Sequence, residues 1–234
     1  VLNQYLAQFG SLIQAPNSPV PLISTAAATV YINTARGQVA GEGECIRVLA
    51  TLPLVSHVIN YGFSAISLST VNGASKVISV RMAAIGTSPL DYRSWEWFFN
   101  YYLNAAATGT PSVFAQYGQG ENGTLFFFPM PSAVATVNLD VVATPIPLID
   151  DSTVEAIPYP WTDAVPYYAA WLGMMNEQRQ GDADKMMERY QVLMRRARQM
   201  SSPSVLPGNL PGDMGTKEAA SKTSLTEPPA PASR

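Results

Sequence analysis

The sequence predicts an α+β fold: a helical bundle built from N- and C-terminal helices, with an inserted antiparallel β-barrel or sandwich unit and an extended C-terminal tail. Three observations carry this expectation. Apolar residues recur at three- and four-residue spacing near both ends. Runs rich in β-branched residues, broken by glycine and proline, fill the middle. The final 34 residues are proline-rich and show no periodicity. The expected segments are 1–43 (N-terminal helices), 44–157 (β-rich, with one inserted helix), 158–200 (a C-terminal helical hairpin) and 201–234 (the tail).

From Leu2 to Gln14, Leu2, Leu6, Phe9, Leu12 and Ile13 lie on one helical face that Pro16 stops. A second helix is expected from Ser24 or Thr25 to Val39, with a Ser/Thr start and with Gly41 and Gly43 just beyond its end. Thr29 to Ile32 would equally suit a strand. Cys45–Leu54, Ser56–Ser69 and Lys76–Ile85 read as strands. The Asn72-Gly73 pair predicts that Ser64–Val71 folds back on Lys76–Ile85 as a hairpin. A helix over RSWEWFFNYYLNAA then places Trp95, Phe98, Phe99, Tyr102 and Leu103 on one stripe. Strands follow at Ser112–Tyr117, Thr124–Phe128 and Ala133–Thr144.

Prolines 145, 147, 158 and 160 make the next segment an extended connector. Thr162 is expected to cap a helix reaching Arg179, with Pro166 in its first turn, where it costs little. Gly181 should break that helix and Asp182 start another, with Met186, Met187, Tyr190, Leu193, Met194 and Ala197 facing inward. From Ser201 on, six prolines and few large apolar groups leave too little surface to bury, so disorder without a partner is expected. At ~3.3 Å per residue the tail's 34 residues could stretch on the order of 110 Å.

Composition excludes several classes of function. Apolar residues make up 47% of the 234-residue chain, which permits a sizeable core and excludes wholesale disorder. Charged residues are only 13%, against a usual ~25%, and the net charge of −3 offers no basic field for gripping phosphates. One cysteine, Cys45, and one histidine, His57, exclude a disulfide framework within the chain and multi-Cys or multi-His zinc sites. Neither a basic leader nor a run of ~20 apolar residues is present, which predicts a soluble protein made inside the cell. Val1 is expected to follow a removed initiator.

The candidate motifs each have a plainer reading. Gly118-Gln-Gly120-Glu-Asn-Gly123 spells GxGxxG, but a strand follows it where a dinucleotide site needs a helix, so a hairpin loop is expected. The sequon at Asn122 carries no weight without secretion. The carboxylate pairs Glu42/Glu44, Asp150/Asp151 and Asp182/Asp184 could serve acid–base chemistry or a metal, yet each falls at a turn, linker or helix start where acids cap and solvate. His57 has no evident nucleophile partner and reads as a half-exposed strand residue. Arg195, Arg196 and Arg198, with Arg179, Lys185 and Arg189, face Asp163, Glu177, Asp182, Asp184 and Glu188, a local excess too small for nucleic acid. Tyr159, Trp161, Tyr167, Tyr168 and Trp171 read as core or subunit interface.

The stretch IPYPWTDAVPYYAAWLGMMNEQRQGDADKMMERYQVLMRRARQ closely resembles the C-terminal helical hairpin of head-to-tail adaptor (connector, neck) proteins of short-tailed bacteriophages. YINTARGQVAGEGECIR is similar to that family's N-terminal helix and first strand, and PLDYRSWEWFFNYYL to its central helix, so the likeness touches most of residues 24–200. The resemblance implies a noncatalytic virion neck protein assembled in the host cytoplasm, without cofactor, metal or membrane. It further implies a homo-oligomeric ring, a dodecamer, under the portal protein. Such a ring extends the channel through which double-stranded DNA passes and presents a lower surface to the tail nozzle. Docking on the portal is expected from Arg195, Arg196, Arg198, Val205, Leu206, Leu210, Met214 and Leu225. The alternatives are a tail-completion or nozzle ring, a carbohydrate-binding or carbohydrate-degrading β-sandwich using the carboxylates and exposed aromatics, and a nucleic-acid binder.

Overall fold

A computed structural model describes residues 1–13, 23–68, 73–103 and 105–201. The chain divides into two units, Val1–Gln199 and Met200–Arg234; of the second only Met200 and Ser201 are described. Helix α1 (Leu2–Ile13) turns Leu2, Tyr5, Phe9 and Ile13 inward at helical spacing. Helix α2 (Thr25–Gly43) is opened by Ser24, whose Oγ accepts the Ala27 N–H at 3.3 Å, and Thr29–Ile32 belong to it. It continues through Gly41 and Gly43, and the left-handed stop falls on Glu44 (φ 47°). Tertiary packing overrides the glycine signal here. The Trp161 ring closes on Gly43 so tightly that a Cβ would stand 2.5 Å from it.

Strand β1 (Arg47–Leu54) alternates exposed and buried residues along its whole length. Strands β2 (Asn60–Gly62) and β3 (Ser67–Leu68) replace the long strand expected over Ser56–Ser69. The chain turns instead at His57 (φ 62°). The Tyr61 hydroxyl accepts the Val55 N–H at 2.8 Å and lies 3.0 Å from the Val55 carbonyl and 3.2 Å from that of Val58, which closes the loop on itself. Strand β3 pairs with β1 (Ala50 opposite Leu68), so the hairpin predicted against Lys76–Ile85 does not form. That strand, β4 (Ala74–Ile85), pairs along its length with β11 (Ala135–Pro145) on one edge and, among the described residues, with β5 (Ser88–Pro89) only at Ala84 and Ile85 on the other. Asn72 lies outside the described residues.

The main sheet has the order β3-β1-β11-β4-β5, antiparallel throughout, with β11 at its centre. Register shifts in the β11–β4 pairing, beginning between Asp140 and Val141, break the two-residue alternation of β4. The second sheet, β2-β9-β8-β6, comprises β6 (Asp91–Arg93), β8 (Val113–Tyr117) and β9 (Thr124–Phe128) beside β2. Strands β6 and β8 run parallel, as do β7 (Thr108–Gly109) and β10 (Met130–Pro131), so the expectation of a wholly antiparallel unit is corrected. All three sheets are open among the described residues, and no closed barrel forms.

Helix α3 (Trp95–Tyr101) starts at Ser94, whose Oγ accepts the Trp97 N–H, and ends at Tyr102, shorter than expected. Of its predicted stripe, Phe98 is fully buried while Phe99 is 52% exposed. The connector carries neither helix nor strand from Ile146 to Pro160. A 3-10 turn, Trp161–Ala164, then enters α4 (Val165–Asn176). Thr162 therefore sits inside the 3-10 turn and does not cap the helix, while Pro166 falls in the first turn as expected. The break before α5 (Gln180–Ser201) is made by left-handed Gln178 (φ 59°); Gly181 lies in the first turn of α5. The inward stripe of α5 is buried at Ala183, Tyr190, Met194 and Ala197, with Met186, Met187 and Leu193 partly buried.

Helices from both ends of the chain meet. Helix α4 packs on α1 and α2, and α2 also rests on β11. Gly173 of α4 makes the crossing close: a Cβ there would stand 2.7 Å from Ile13 and 2.8 Å from Ile23. One continuous core runs from these helices into the main sheet. A smaller aromatic cluster around Phe98, Val113 and Ala115 lies between α3 and the second sheet.

Candidate docking site

Most of the candidate carboxylates are engaged in holding the fold, while Asp184 is exposed on α5. Glu42 Oε2 accepts the Tyr190 hydroxyl at 2.7 Å, and Glu42 Oε1 and its carbonyl accept Arg198 Nη2 at 3.0 and 3.2 Å, fastening the end of α2 to α5. Burial, followed by the Glu42 carboxylate, pushes the Tyr190 hydroxyl well above the usual tyrosine range. Glu44 pairs with Arg81. Asp150 accepts the Ser152 hydroxyl and N–H at 2.6 and 2.9 Å; these bonds hold its carboxyl below the usual range. Asp151 is lowered by the Asn3 N–H at 2.8 Å. Asp182 is lowered by Arg179 at 2.7 Å and then by Lys185.

His57 sits in a turn, not a strand, a placement that corrects the expectation. Ser56 Oγ lies 2.7 Å from its Nδ1 and 2.9 Å from the Ser132 carbonyl, and no carboxylate among the described residues orients the ring. Burial pushes the Cys45 thiol up to about 12, which leaves it protonated and a poor nucleophile at neutral pH. Residues 118–123 link the antiparallel strands β8 and β9, so the GxGxxG run is a hairpin loop, as expected. No group of three or more His, Cys, Asp or Glu that could hold a metal occurs among the described residues. Nor, among them, is any helix long and apolar enough to cross a membrane.

Sequence reasoning missed the most heavily engaged charged group. Arg36 is fully buried on α2 and donates to both Glu155 oxygens (Nη2 to Oε1 at 2.7 Å, Nε to Oε2 at 3.1 Å) and to the Ile146 carbonyl at 2.7 Å. Asn33, one turn earlier, exchanges hydrogen bonds with the backbone of Leu148 at 2.8 and 3.0 Å. Tyr5 hydrogen-bonds Glu155 as well, and burial together with that carboxylate drives its hydroxyl upward. This network ties the extended connector to α1 and α2. The available signal was an arginine on the same helical face as Ile32 and Val39.

The arginines expected to dock differ in their surroundings. Arg198 is committed to Glu42. Arg195 is exposed and, among the described residues, reaches the Gln191 carbonyl of its own helix at 3.4 Å. Arg196 and Arg189, one face of α5 at heptad spacing, form no ion pair among the described residues. They border a groove of 370 Å³ between α1, α4 and α5, whose apolar lining is Leu12, Pro166, Tyr167 and Leu193. Asp163 also reaches this groove. Val205, Leu206, Leu210, Met214 and Leu225 lie outside the described residues. In the connector and hairpin, Trp161 is core, Tyr167, Tyr168 and Trp171 are partly buried against it, and Tyr159 is 67% exposed.

Such an arrangement can bind. It presents a helical face on which Arg189 and Arg196 form no ion pair among the described residues, and guanidinium groups suit carboxylate-bearing or aromatic protein surfaces. No curated protein matches the chain. A family model, that of the SU10 adaptor protein, matches residues 6–208, spanning the helices of both ends and the whole β-rich middle. By that match, this chain belongs to the SU10 adaptor protein family, a phage head-to-tail adaptor family of structural virion proteins.

Proposed function

We propose that the protein is a noncatalytic head-to-tail adaptor that works by assembly: copies close into a dodecameric ring, bind the portal on one side and receive the tail nozzle on the other. The family match over residues 6–208 carries this reading. The internal use of Glu42, Asp150, Asp151 and Asp182 supports it, because each of these carboxylates is already hydrogen-bonded within the chain. Identical subunits meeting through two different surfaces close a ring when the rotation between neighbours closes. Double-stranded DNA passes through the lumen without specific contacts, consistent with the absence of a basic excess, since each phosphate contact would add drag.

Portal docking is assigned to the end of α5, through Arg195, and to residues 202–234. The test is co-sedimentation with purified portal. A chain ending at Ser201 should keep its circular-dichroism spectrum and lose most portal binding, and Arg195→Ala should weaken binding at low salt by a margin that shrinks as salt rises. Undiminished binding by the shortened chain would overturn the assignment of the tail. Capture by a tail nozzle but never by portal would move the protein to the other side of the joint.

A further inference from the structure

Helix α3 is aromatic around most of its circumference. Trp95 and Phe99 lie on one side, Trp97 and Tyr101 on the other, and Phe98 points into the second sheet; only Glu96 and Asn100 are polar. Helices that are apolar all round are normally buried, yet Phe99, Tyr101 and nearby Tyr117 are 52%, 66% and 54% exposed. Trp95 joins Phe99 and Tyr117, with ring centroids at 5.8 and 4.8 Å, while Tyr101 packs on Trp97 at 5.1 Å on the other side of the helix. At ~200 Å² per aromatic side chain, the three exposed rings show on the order of 350 Å². That is a large part of the apolar area within the roughly 800 Å² that each partner gives to a standard interface.

We infer that this aromatic face of α3 is a subunit interface, and that it seats in the groove between α1, α4 and α5 of a second copy of the chain. This inference rests on the ring reading above and names the two surfaces that meet. Charge and shape select the pairing. The face is convex and carries Glu96, which has no ion pair among the described residues, with Arg93 stacked over Trp97 at 4.9 Å and offset by Asp91 at 3.9 Å. The groove is concave and carries Arg189 and Arg196 against Asp163, the two arginines likewise without ion pairs among the described residues, beside Leu12, Tyr167 and Leu193. Guanidinium groups both pair with a carboxylate and stack on indole and phenol rings. The two surfaces lie on different elements, one over the second sheet and one on the helices, as head-to-tail closure requires.

Sedimentation velocity of the full chain, alone and with portal, tests this. Phe99→Ser with Tyr101→Ser removes the convex face, and Arg189→Glu with Arg196→Glu reverses the groove. All four residues are exposed, so the fold should be retained, as circular dichroism would verify. Each double variant alone should lose self-association, by roughly tenfold or more in the association constant. Mixed, they should form a one-to-one heterodimer and nothing larger, because one intact face meets one intact groove. A mixture that stays monomeric, a face variant that assembles like the parent, or a parent chain with no self-association in either setting would overturn the inference. Portal capture reports separately on the adaptor reading. A face variant that remains monomeric yet is captured by portal leaves that reading standing, and a chain that self-associates but ignores portal removes it.

Discussion

The Arg36–Glu155 pair shows how one buried charge can determine the path of an entire connector. With Arg36 fully buried and Glu155 only 14% exposed, neither charge can be left alone without a large desolvation penalty. Glu155→Ala should cost about 3–5 kcal/mol in urea unfolding, whereas Arg36→Met combined with Glu155→Leu should recover much of that loss because no orphan charge remains. Tyr5, Tyr190 and Cys45 give the molecule an alkaline limit. Each acid group is raised on folding, so its contribution is complete below its unfolded value and lost as pH climbs beyond it. Melting temperature should therefore decline above roughly pH 8.5, where an unfolded thiol ionises, and more steeply above ~10, where unfolded tyrosines do. Tyr190→Phe should flatten the steeper part of that decline in a pH series of thermal melts. The sequence marked Tyr190 as inward-facing and Cys45 as the lone cysteine but not their shifts, which come from burial and from Glu42 and Glu155, which only the folded chain brings near.

Among the elements, those with a strong period were legible. The stripe Leu2, Phe9, Ile13 of α1, the inward row of α5 and the alternation of β1 follow directly from residue spacing. What escaped was decided by partners distant in sequence. Strand β3 pairs with β1 and not with β4, whose second edge β5 meets only at Ala84 and Ile85 among the described residues, and α2 ran past two glycines because Trp161 and Arg198 hold its end. Local turn chemistry misled at Gly181, where Gln178 supplies the left-handed residue instead. Of the site, the arginines of α5 were visible as a cluster, but only the fold separates Arg198, spent on Glu42, from Arg189 and Arg196, which border the groove. The crossing of α1 and α4 over Gly173 supplies an element-scale test. Gly173→Val should cost about 1–3 kcal/mol by overpacking against Ile13 and Ile23, read as a lowered urea midpoint with an unchanged slope.

At the scale of the whole molecule, β11 lies between β1 and β4, and α4 lies against α1 and α2, so the two ends of the sequence complete each other. This order of connections has a consequence for biosynthesis. While the ribosome is still translating the middle of the message, β1 has no β11 to pair with and the apolar face of α1 has no α4 to lie on. The nascent chain must carry that surface uncovered until well past residue 170, a situation in which slow, non-local closure invites aggregation or chaperone capture. Arrest of translation after Pro145 should consequently yield chains that pulse proteolysis degrades throughout. Arrest late enough for α5 to clear the exit tunnel should protect α2 and β1 at a single step.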